Sequence, residues 1–342
     1  MGPELPPQKA NESEFSGKEL PYEIVNGVPC YQEGHVIDGM VQIFERIGYN
    51  DRVGGTYLGI GGDGKELVVR VGPAEQAANI VRMEAAFLCK VEAANDWRYF
   101  SQVHKIFQTD DAFHMTLYFR GGPTLEQCFQ FRNRRFTLGT AGRLASDVFD
   151  IIRCAHKHGY LVRDVDMNLF HFDAAWRHLF MADISSLVKD IAKGGGLCVS
   201  TPVADYVGSS DFAPLRSHLG NKVGARQDLE SWFFLFIYMA RGGLNWDWAP
   251  IDKVVELKEQ MIKDGSLVEL LPPQFEKIFK IIYNGDEISP VKESDYDEIS
   301  KLVEEVYRDV GQVKDLEENL DFEREPTPDE IPRLVMCRDD EL

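Results

Sequence analysis

The sequence predicts an α+β fold of two lobes, a small β-rich lobe followed by a larger helical lobe. Between about Gly39 and Tyr118, short apolar runs typical of strands surround one stretch with helical spacing. After the break at Gly121-Gly122-Pro123 the apolar spacing becomes helical. With 342 residues, the chain is long enough for two lobes that share an interface.

The first lobe is predicted over about residues 35–120. Its strands are expected in the runs VQIFERIG, GGTYLGIGG, KELVVRVG and FHMTLYF. One helix interrupts them in AEQAANIVRMEAAFLCKV, where Ile80, Met83, Phe87 and Leu88 recur at helical spacing. The lobe is therefore predicted to be mostly strands with a single helix.

The second lobe is predicted over about residues 121–312. An amphipathic helix in TAGRLASDVFDIIRCAHKHG is ended by Gly159. The stretch DLESWFFLFIYMARGG is apolar on nearly all sides, which predicts a central buried helix. Two further helices are expected in PQFEKIFKIIYNG and DYDEISKLVEEVYRDVG.

Both ends of the chain are predicted to lie outside this fold. Residues 1–34 begin with a polar, Pro-rich stretch and are expected to be disordered, without the apolar region of a secretory leader. Residues 313–342 are predicted to form an acidic tail, because eight acidic residues and one arginine lie between Asp315 and Glu330. The final RDDEL is interpreted as part of this acidic end rather than as a retention signal.

Composition narrows the expected partners and compartment. The formal net charge is −19, so the surface repels nucleic acid and anionic membranes, and neither is an expected partner. No window of 18 apolar residues predicts a membrane span. None of the six cysteines shares a C-x-x-C spacing, so they are interpreted as buried residues in a reducing compartment, the cytoplasm and/or the nucleus, and not as a disulfide framework or a zinc site.

Four segments, in this order, carry a family resemblance: RMEAAFL at 82–88, GGPTL at 121–125, GARQDLESWFFLF at 224–236 and LNW at 244–246. They resemble the K-M-E-x-x-x-L helix, the hinge exit, the G-R-x-D-D-L-E-S-W-x-Y segment and the L-P-W of protein kinases of the casein kinase 1 superfamily, nearest its tau-tubulin-kinase-like branch. The resemblance covers roughly residues 35 to 310 and implies a protein-kinase-like domain over 35–312.

The resemblance implies a glycine-rich loop in GYNDRVGGTY at 48–57. Gly48 matches the first glycine of G-x-G-x-x-G-x-V, and Asn50 replaces the second. Gly54 or Gly55 serves as the third with a shift of one residue. Asp51 adds a negative charge where phosphates would lie, and glycines allow the close approach of backbone amides to phosphate. The alternative is an ordinary hairpin that binds no nucleotide.

Arg70 stands where the resemblance expects the lysine of V-A-I-K, and its helix partner Glu84 is present. Arginine keeps the positive charge and binds a carboxylate through two nitrogens, but it does not replace a compact ammonium between glutamate and phosphate. An Arg70–Glu84 pair is therefore expected to hold the helix in place without serving ATP. The alternative is a surface arginine.

The stretch GYLVRDVDMNLFHFD at 159–173 resembles the catalytic loop H-R-D-x-K-x-x-N. Asp164 matches the catalytic base, Asp166 replaces the catalytic lysine and Leu169 replaces the metal-binding asparagine. Asn168 lies one position early, so its side chain is expected to point elsewhere. Two unit charges 4 Å apart interact by about 4 kcal/mol at an effective dielectric of 20. Exchanging attraction for repulsion at residue 166 would then slow phosphoryl transfer by roughly three to six orders of magnitude.

Asp183 matches the aspartate of the metal-binding D-F-G triplet, which reads Asp183-Ile184-Ser185. It is the single remaining candidate metal ligand, and the alternative is that it only bonds neighbouring amides. The resemblance also implies a stack of apolar side chains through the core, and Leu88, Val162 and Ile184 occupy its positions.

Several other positions lead to narrower expectations. Asp211 replaces the arginine that binds phosphorylated substrates in the resembling family, and Arg216, Lys222 and Arg226 either compensate or are solvated surface charges. Tyr118 is expected near the gatekeeper position, where it would narrow the adenine pocket.

Two more expectations concern the turn before the loop and the residue that supports it. Asp228 is predicted to bond the backbone of the catalytic loop. The HKHG turn at 156–159 is interpreted as a polar turn, with a metal site as the alternative.

The sequence thus predicts a pseudokinase, a kinase-like fold with little or no phosphotransfer that acts as a scaffold or regulatory subunit for a protein partner. No cofactor is expected, and the alternative is ATP with Mg²⁺. One alternative function is an atypical active Ser/Thr kinase that uses Asp164 and Asp183. Another is a nucleotide-binding switch that transfers no phosphate.

Overall fold

A computed structural model describes residues 22–50, 54–74, 80–173, 178–189, 209–221, 223–283, 290–311 and Leu320. It confirms the predicted α+β class, with a β-rich first lobe and a helical second lobe. The first lobe is built on a six-stranded antiparallel sheet in the order β3-β4-β5-β6-β8-β7. These strands are β3 (Val36–Ile37), β4 (Val41–Asn50), β5 (Gly54–Gly61), β6 (Glu66–Pro73), β7 (Val103–Gln108) and β8 (Ala112–Tyr118).

Secondary structure begins closer to the N-terminus than predicted. Strands β1 (Glu23–Val25) and β2 (Val28–Cys30) form a hairpin, so the prediction of disorder up to residue 34 is wrong from residue 22 onward. The turn residues Asn26 and Gly27 have φ of 51° and 77°, the geometry that Asn-Gly favours in two-residue hairpins. The hairpin is ordered because Val28 packs onto the outer face of the sheet.

Helix α1 (Ile80–Ala93) covers the other face of the sheet. Val81, Phe87 and Leu88 are among its buried residues, and they belong to the main core that continues through the second lobe. The outer face of the sheet has a separate cluster of its own. This outer cluster contains Val28, Tyr31, Ile37, Val41, Ile43, Tyr57, Leu67, Val69, Val71 and Ala112.

The second lobe is helical, as predicted. Its helices are α2 (Leu125–Phe131), α3 (Leu138–Lys157), α4 (Leu215–His218), α5 (Ala225–Arg241), α6 (Ile251–Asp264), α7 (Pro273–Tyr283) and α8 (Glu293–Glu305), followed by a π-helical turn at Val306–Val310. Helix α5 is buried along nearly its whole length, and the Trp232 indole donates a 2.8 Å hydrogen bond to the carbonyl of Ala145 on α3. The predicted central helix is therefore confirmed.

Short strands frame the loop region between α3 and α4. Strands β9 (Tyr160–Leu161) and β12 (Val188–Lys189) pair, as do β10 (Phe170–Asp173) and β11 (His178–Met181). A 3₁₀ turn at Met167–Leu169 leads into β10. The chain of the predicted catalytic loop therefore lies between β9 and β10, directly below the first lobe's sheet and helix.

The connection between the lobes is fixed by Arg120. Its Nε donates a 2.6 Å hydrogen bond to the carboxylate of Asp173, and its Nη1 donates a 2.7 Å bond to the carbonyl of Phe100. The guanidinium also lies 4.3 Å from the centre of the Phe180 ring. The linker is therefore tied to both lobes by one planar cation.

Three further sequence predictions concern surfaces and ends. No helix in the described part of the chain is both long and apolar enough to cross a membrane. Of the four described cysteines, Cys30, Cys128 and Cys154 are buried as predicted, whereas Cys89 is exposed. Of the predicted acidic tail, the structure describes Leu320 alone, which packs partly buried against the main core.

Candidate functional site

The ion pair expected between β6 and α1 is present. Arg70 donates from Nε to Glu84 Oε2 at 3.0 Å and from Nη2 to Glu84 Oε1 at 2.5 Å. Both side chains are buried, with 10% and 1% of their surface exposed. Burial raises the pKa of the Glu84 carboxyl, and the charge of Arg70 opposes that rise. The alternative of a surface arginine is therefore wrong.

A third contact completes the environment of Arg70. Its Nη1 donates a 2.7 Å hydrogen bond to the hydroxyl of Thr56 on β5, which is the residue opposite Arg70 in the sheet. Each nitrogen of the guanidinium thus donates to a partner within the first lobe. Sequence reasoning missed Thr56, because the cross-strand register that selects it is set by the hairpin geometry and not by a motif.

The rear of the catalytic loop is held by Asp228 on α5. Its carboxylate accepts hydrogen bonds from the backbone amides of Val162 at 2.7 Å and Arg163 at 2.9 Å. The same carboxylate lies 2.8 Å from Nε2 of His156, whose Nδ1 lies 2.7 Å from the hydroxyl of Tyr296. This confirms the prediction that Asp228 supports the loop backbone.

The front of the loop presents Asp164 to the space between the lobes. The residue is buried, and its burial raises the pKa of the carboxyl to about 7. The negative charges of Asp166 and Asp183 contribute to the rise, and Arg163 opposes it. A residue in the position of the catalytic base is thus only partly ionised at neutral pH.

Asp166 closes the following turn with its side chain. Its Oδ1 accepts hydrogen bonds from the backbone amide and from the side-chain amide of Asn168, both at 2.9 Å. Asn168 is exposed, and its side-chain amide is engaged by Asp166. Leu169 packs partly buried against the main core, so the position of the second metal ligand is apolar.

Asp183 follows β11 and faces the ion pair of the first lobe. Its Oδ1 accepts a 2.8 Å hydrogen bond from the amide of Ser185, as expected of an aspartate that bonds neighbouring amides. Burial acts to raise the pKa of Asp183, but the charge of Arg70 and the hydrogen bonds from Ser185 lower it below its ordinary value. Asp183 therefore remains ionised, and it is the candidate among these residues for holding one divalent metal.

The apolar positions of the predicted stack are all buried in one cluster. Leu88 has 1%, Val162 0% and Ile184 4% of its surface exposed, and all three belong to the main core. The packing that joins α1 to the catalytic loop is therefore present in this chain.

The glycine-rich stretch includes the ends of β4 and β5, which pair antiparallel from Asn50 and Gly54, while residues 51–53 lie outside the described ranges. Gly54 has φ of +103°, and an added Cβ there would lie 2.0 Å from the carbonyl oxygen of Val71. Sheet packing is thus a sufficient reason for glycine at 54. At Gly48 an added Cβ would meet only the Cβ of Thr56 at 3.8 Å, an ordinary contact. The predicted charge at Asp51 lies outside the described residues.

Tyr118 does not narrow an adenine pocket. Its ring packs against the outer cluster and lies 5.1 Å from the ring of His104. Side chains alternate along a strand, so the preceding residue, Leu117, faces the main core and pairs with Val68 of β6. The expected gatekeeper position is therefore wrong by one residue, and Leu117 occupies the inward place.

The predicted substrate side is only partly described, because Lys222 and residues 190–208 lie outside the described ranges. Arg226 is neither a solvated charge nor a phosphate ligand, since it is buried and its Nη1 donates to the carbonyls of Ile281 and Ile282. Burial raises the pKa of Asp211, and Lys258 opposes the rise.

The fold defines the class of the protein as a two-lobed protein-kinase fold, in which the charge of Asp183 acts on both Arg70 and Asp164. No protein-family model matches the chain.

Individual proteins do match it. The chain is 24% identical over 220 residues to a probable serine/threonine-protein kinase of Dictyostelium discoideum, a match that covers 63% of this chain and 44% of that protein. It is 28% identical over 208 residues to a casein kinase I homolog of Kluyveromyces lactis, covering 57% of this chain and 38% of that protein. With a probable casein kinase I homolog of Encephalitozoon cuniculi it shares 30% identity over 158 residues, 44% of this chain and 50% of that protein.

These matches relate the chain to the casein-kinase-I-like serine/threonine protein kinases. The matched part spans half or less of the length of each of these relatives.

Proposed function

We propose that this protein is a pseudokinase of the casein kinase 1 superfamily, nearest its tau-tubulin-kinase-like branch, and that it acts as a protein-binding scaffold or regulatory subunit. The observation that carries the proposal is the carboxylate of Asp166 beside Asp164, whose pKa is raised to about 7. Phosphoryl transfer needs a cation near this position to offset charge on the transferred group. Here a second acid stands in its place.

The balance of charge in the cleft supports this proposal. Asp164, Asp166 and Asp183 are three acids close enough that the charges of the last two help raise the pKa of Asp164, which burial raises most. Arg70 is bound to Glu84 through two nitrogens and to Thr56 through the third. Each unpaired contact of a phosphate with a carboxylate at 4 Å costs about 4 kcal/mol at an effective dielectric of 20. Binding of ATP is therefore expected to be weak.

The metal sites support the same conclusion. Mg²⁺ is held by carboxylate, amide and water oxygens, and Leu169 offers none of these. Asp183 could still hold one ion, but kinases that transfer phosphate use two ligand-bearing positions for their metal ions. We therefore expect no cofactor, with ATP and Mg²⁺ as the alternative.

The test is a radiometric transfer assay on the purified protein with labelled ATP and either Mg²⁺ or Mn²⁺. The control is the Asp164→Asn variant, which removes the candidate base and keeps the shape of the side chain. We expect equal and negligible incorporation by both proteins. Incorporation by the wild type that clearly exceeds that of the variant would overturn the proposal.

One observation favours an atypical active kinase as the second candidate. The Arg70–Glu84 pair is formed, and a carboxyl with a pKa near 7 lies in the range that suits a general base. If this candidate holds, the double variant Asp166→Lys/Leu169→Asn should increase an activity that already exists. Failure of this pair to raise transfer above the wild type would speak against it.

A nucleotide-binding switch without transfer is separated by a thermal-shift measurement. A ligand that binds only the folded state raises the melting temperature, and the rise grows with the logarithm of ligand concentration above its Kd. A rise with ATP that requires Mg²⁺, in a protein that transfers no phosphate, would favour the switch. No rise with ATP favours the scaffold.

The partners are proposed to be proteins, in the cytoplasm and/or the nucleus. A net charge of −19 disfavours nucleic acid and anionic membrane through repulsion. Sedimentation with vesicles rich in anionic lipid and gel-shift with DNA or RNA should both show no binding at physiological salt.

A further inference from the structure

Three side chains with different metal-binding groups meet beside the joint between the lobes. The ligand atoms of Asp96, Cys154 and His158 all lie within 4.8 Å of one another. Cys154 and His158 are buried, and Asp96 has 20% of its side chain exposed. A carboxylate, a thiol and an imidazole at this spacing form a cluster that differs in kind from the acidic cleft.

The helix explains why two of these groups share a face. Cys154 and His158 are four residues apart at the C-terminal end of α3, so they lie one turn apart on the same side. Asp96 comes from the first lobe, in the turn that follows α1. His156, in contrast, is directed at Asp228 and Tyr296. The two histidines of the HKHG turn therefore contact different residues.

We propose that Asp96, Cys154 and His158 form a zinc site that links the two lobes. Thiolate, imidazole and carboxylate are the groups that bind Zn²⁺ in proteins, at about 2.0–2.3 Å. At these bond lengths the ligand atoms of a tetrahedral site lie roughly 3.3–3.8 Å apart. The atoms of the cluster lie within 4.8 Å of one another, so the wider separations must contract, and the 2.8 Å contact between Asp96 and His158 must lengthen. Soft sulfur and borderline nitrogen favour zinc over Mg²⁺ or Ca²⁺.

A cavity supplies access and room for the fourth ligand. It has a volume of about 370 Å³ and is lined by Asp96 and Cys154, together with Tyr99, Asp150 and Lys157, whereas His158 lies outside its lining. A water molecule in this cavity can complete a tetrahedral site, as in zinc sites with three protein ligands. The metal would then be reached from solvent without opening the core.

Binding must displace the present partners of Asp96. Its Oδ2 lies 2.8 Å from Nε2 of His158 and 3.1 Å from Nζ of Lys157. The Lys157 side chain is 67% exposed, so it can turn into solvent. The thiol of Cys154 must give its proton to the buffer as the zinc–sulfur bond forms, because burial keeps the metal-free thiol protonated.

The location of the proposed site means that a bound metal would strengthen the contact between the two lobes. Beside the cluster, Nζ of Lys90 on α1 donates a 2.6 Å hydrogen bond to the carbonyl of His158. A metal bound to Asp96 and to α3 would reinforce this link between the lobes. The site lies away from the cleft, so the proposal does not depend on whether phosphate is transferred.

The first test uses Co²⁺, which replaces Zn²⁺ in tetrahedral sites and reports a bound thiolate by a charge-transfer absorption. The full-length protein is freed of metal with a chelator and titrated with Co²⁺. We expect this absorption to saturate at one Co²⁺ per chain and to disappear when Zn²⁺ is added. A folded protein that shows no such absorption would overturn the proposal.

The second test assigns the ligands. Cys154→Ser and His158→Gln should each weaken Zn²⁺ affinity by at least about 100-fold, since loss of a ligand exceeds the effect of losing its supporting contacts. Cys128→Ser is the matched control, because Cys128 is also buried and lies on α2. Unchanged affinity in Cys154→Ser would contradict the proposal.

A third variant keeps all three ligands and does not disturb the core. Lys157→Ala removes the ammonium that shares the carboxylate of Asp96, and an exposed ion pair of this kind is worth a factor of about 2–5. We expect Zn²⁺ to bind more tightly by that factor, measured by competition with a chromophoric chelator. Weaker binding would argue against Asp96 as a ligand.

Discussion

Two sets of acids in this molecule have opposite surroundings. The framework acids, Glu84 and Asp228, are buried and fully engaged, one by a guanidinium and the other by two backbone amides and an imidazole. The cleft acids, Asp164 and Asp166, lie two residues apart on the same loop, and the pKa of Asp164 is raised by burial and further by the charge of Asp166. The loop is held from behind as in a kinase, while its front carries different chemistry.

The contrast shows that the contacts that support the loop backbone are separate from the side chains that the loop presents for catalysis. Val162 is 0% exposed, and its amide is bound by Asp228 whatever residue follows at 166. The fold therefore tolerates an acid in front of the loop without losing its shape. Substitutions in the two sets should accordingly have different effects on stability.

The largest effect is expected at Asp228. The Asp228→Ala variant leaves two backbone amides and His156 without their acceptor in the core, which should lower the free energy of unfolding by about 3–5 kcal/mol. Urea denaturation followed by circular dichroism measures it. Asp228→Asn keeps one acceptor oxygen and should lose clearly less. A loss below about 1 kcal/mol in Asp228→Ala would remove the distinction between framework and cleft acids.

Glu84 should rank next. Glu84→Gln leaves the buried Arg70 without its counterion, so we expect a loss of about 2–4 kcal/mol in the free energy of unfolding. The double variant Arg70→Gln/Glu84→Gln removes both charges and should recover part of the loss. If the losses in free energy of unfolding of Arg70→Gln and Glu84→Gln simply add up to the loss in the double variant, the two residues are not energetically coupled.

Replacement of Asp164 should have the opposite effect: it should raise the free energy of unfolding, by an amount that depends on pH. Folding raises the pKa of its carboxyl from 3.8 to about 7, so the protonated acid favours the folded state. That contribution is lost as pH rises through this range. Asp164→Asn, which cannot ionise, should therefore gain stability over the wild type, and the gain should grow by about 2 kcal/mol between pH 5 and pH 8.

Urea denaturation at the two pH values measures this gain. The matched control is Asp110→Asn, which makes the same chemical change at an exposed position. A constant difference between Asp164→Asn and the wild type would show that folding does not raise the pKa of Asp164.

The smallest effect on stability is expected at Asp166. Asp166→Asn keeps a side-chain oxygen for the amide of Asn168 and removes the charge, so the free energy of unfolding should change by less than about 1 kcal/mol. The pKa of Asp164 should fall from about 7, because one of the charges that raise it is gone. Carboxyl titration by NMR measures the shift, and an unchanged pKa would deny the coupling between the cleft acids.

Motifs with fixed spacing made much of the framework predictable. The pair of Arg70 with Glu84, the support of the loop by Asp228 and the burial of the stack at Val162 follow from positions that the resemblance assigns. The central helix α5 followed from its apolar character alone. In each case a local pattern and a long-range contact agree.

The errors have physical reasons. Tyr118 was placed in the cleft because a strand reverses the direction of its side chains at each residue, so an offset of one changes the face. The hairpin of β1 and β2 was missed although Asn26-Gly27 is a recognisable turn signal between Val25 and Val28. Helix α6 was missed as well, although Gly265 ends it with φ of +76°.

Other features are set by the tertiary arrangement. The contact of Arg70 with Thr56 depends on strand register. The raised pKa of Asp164 depends first on burial and then on Asp166, two residues away, and Asp183, which is distant in sequence. Neither leaves a spacing that a sequence pattern can report.

Arg120 has a consequence for association. The guanidinium binds Asp173 and the carbonyl of Phe100 while it lies over Phe180. The linker should therefore resist rotation of one lobe relative to the other. A protein that contacts both lobes would meet a surface whose shape is already set. Less conformational entropy would then be lost when the complex forms.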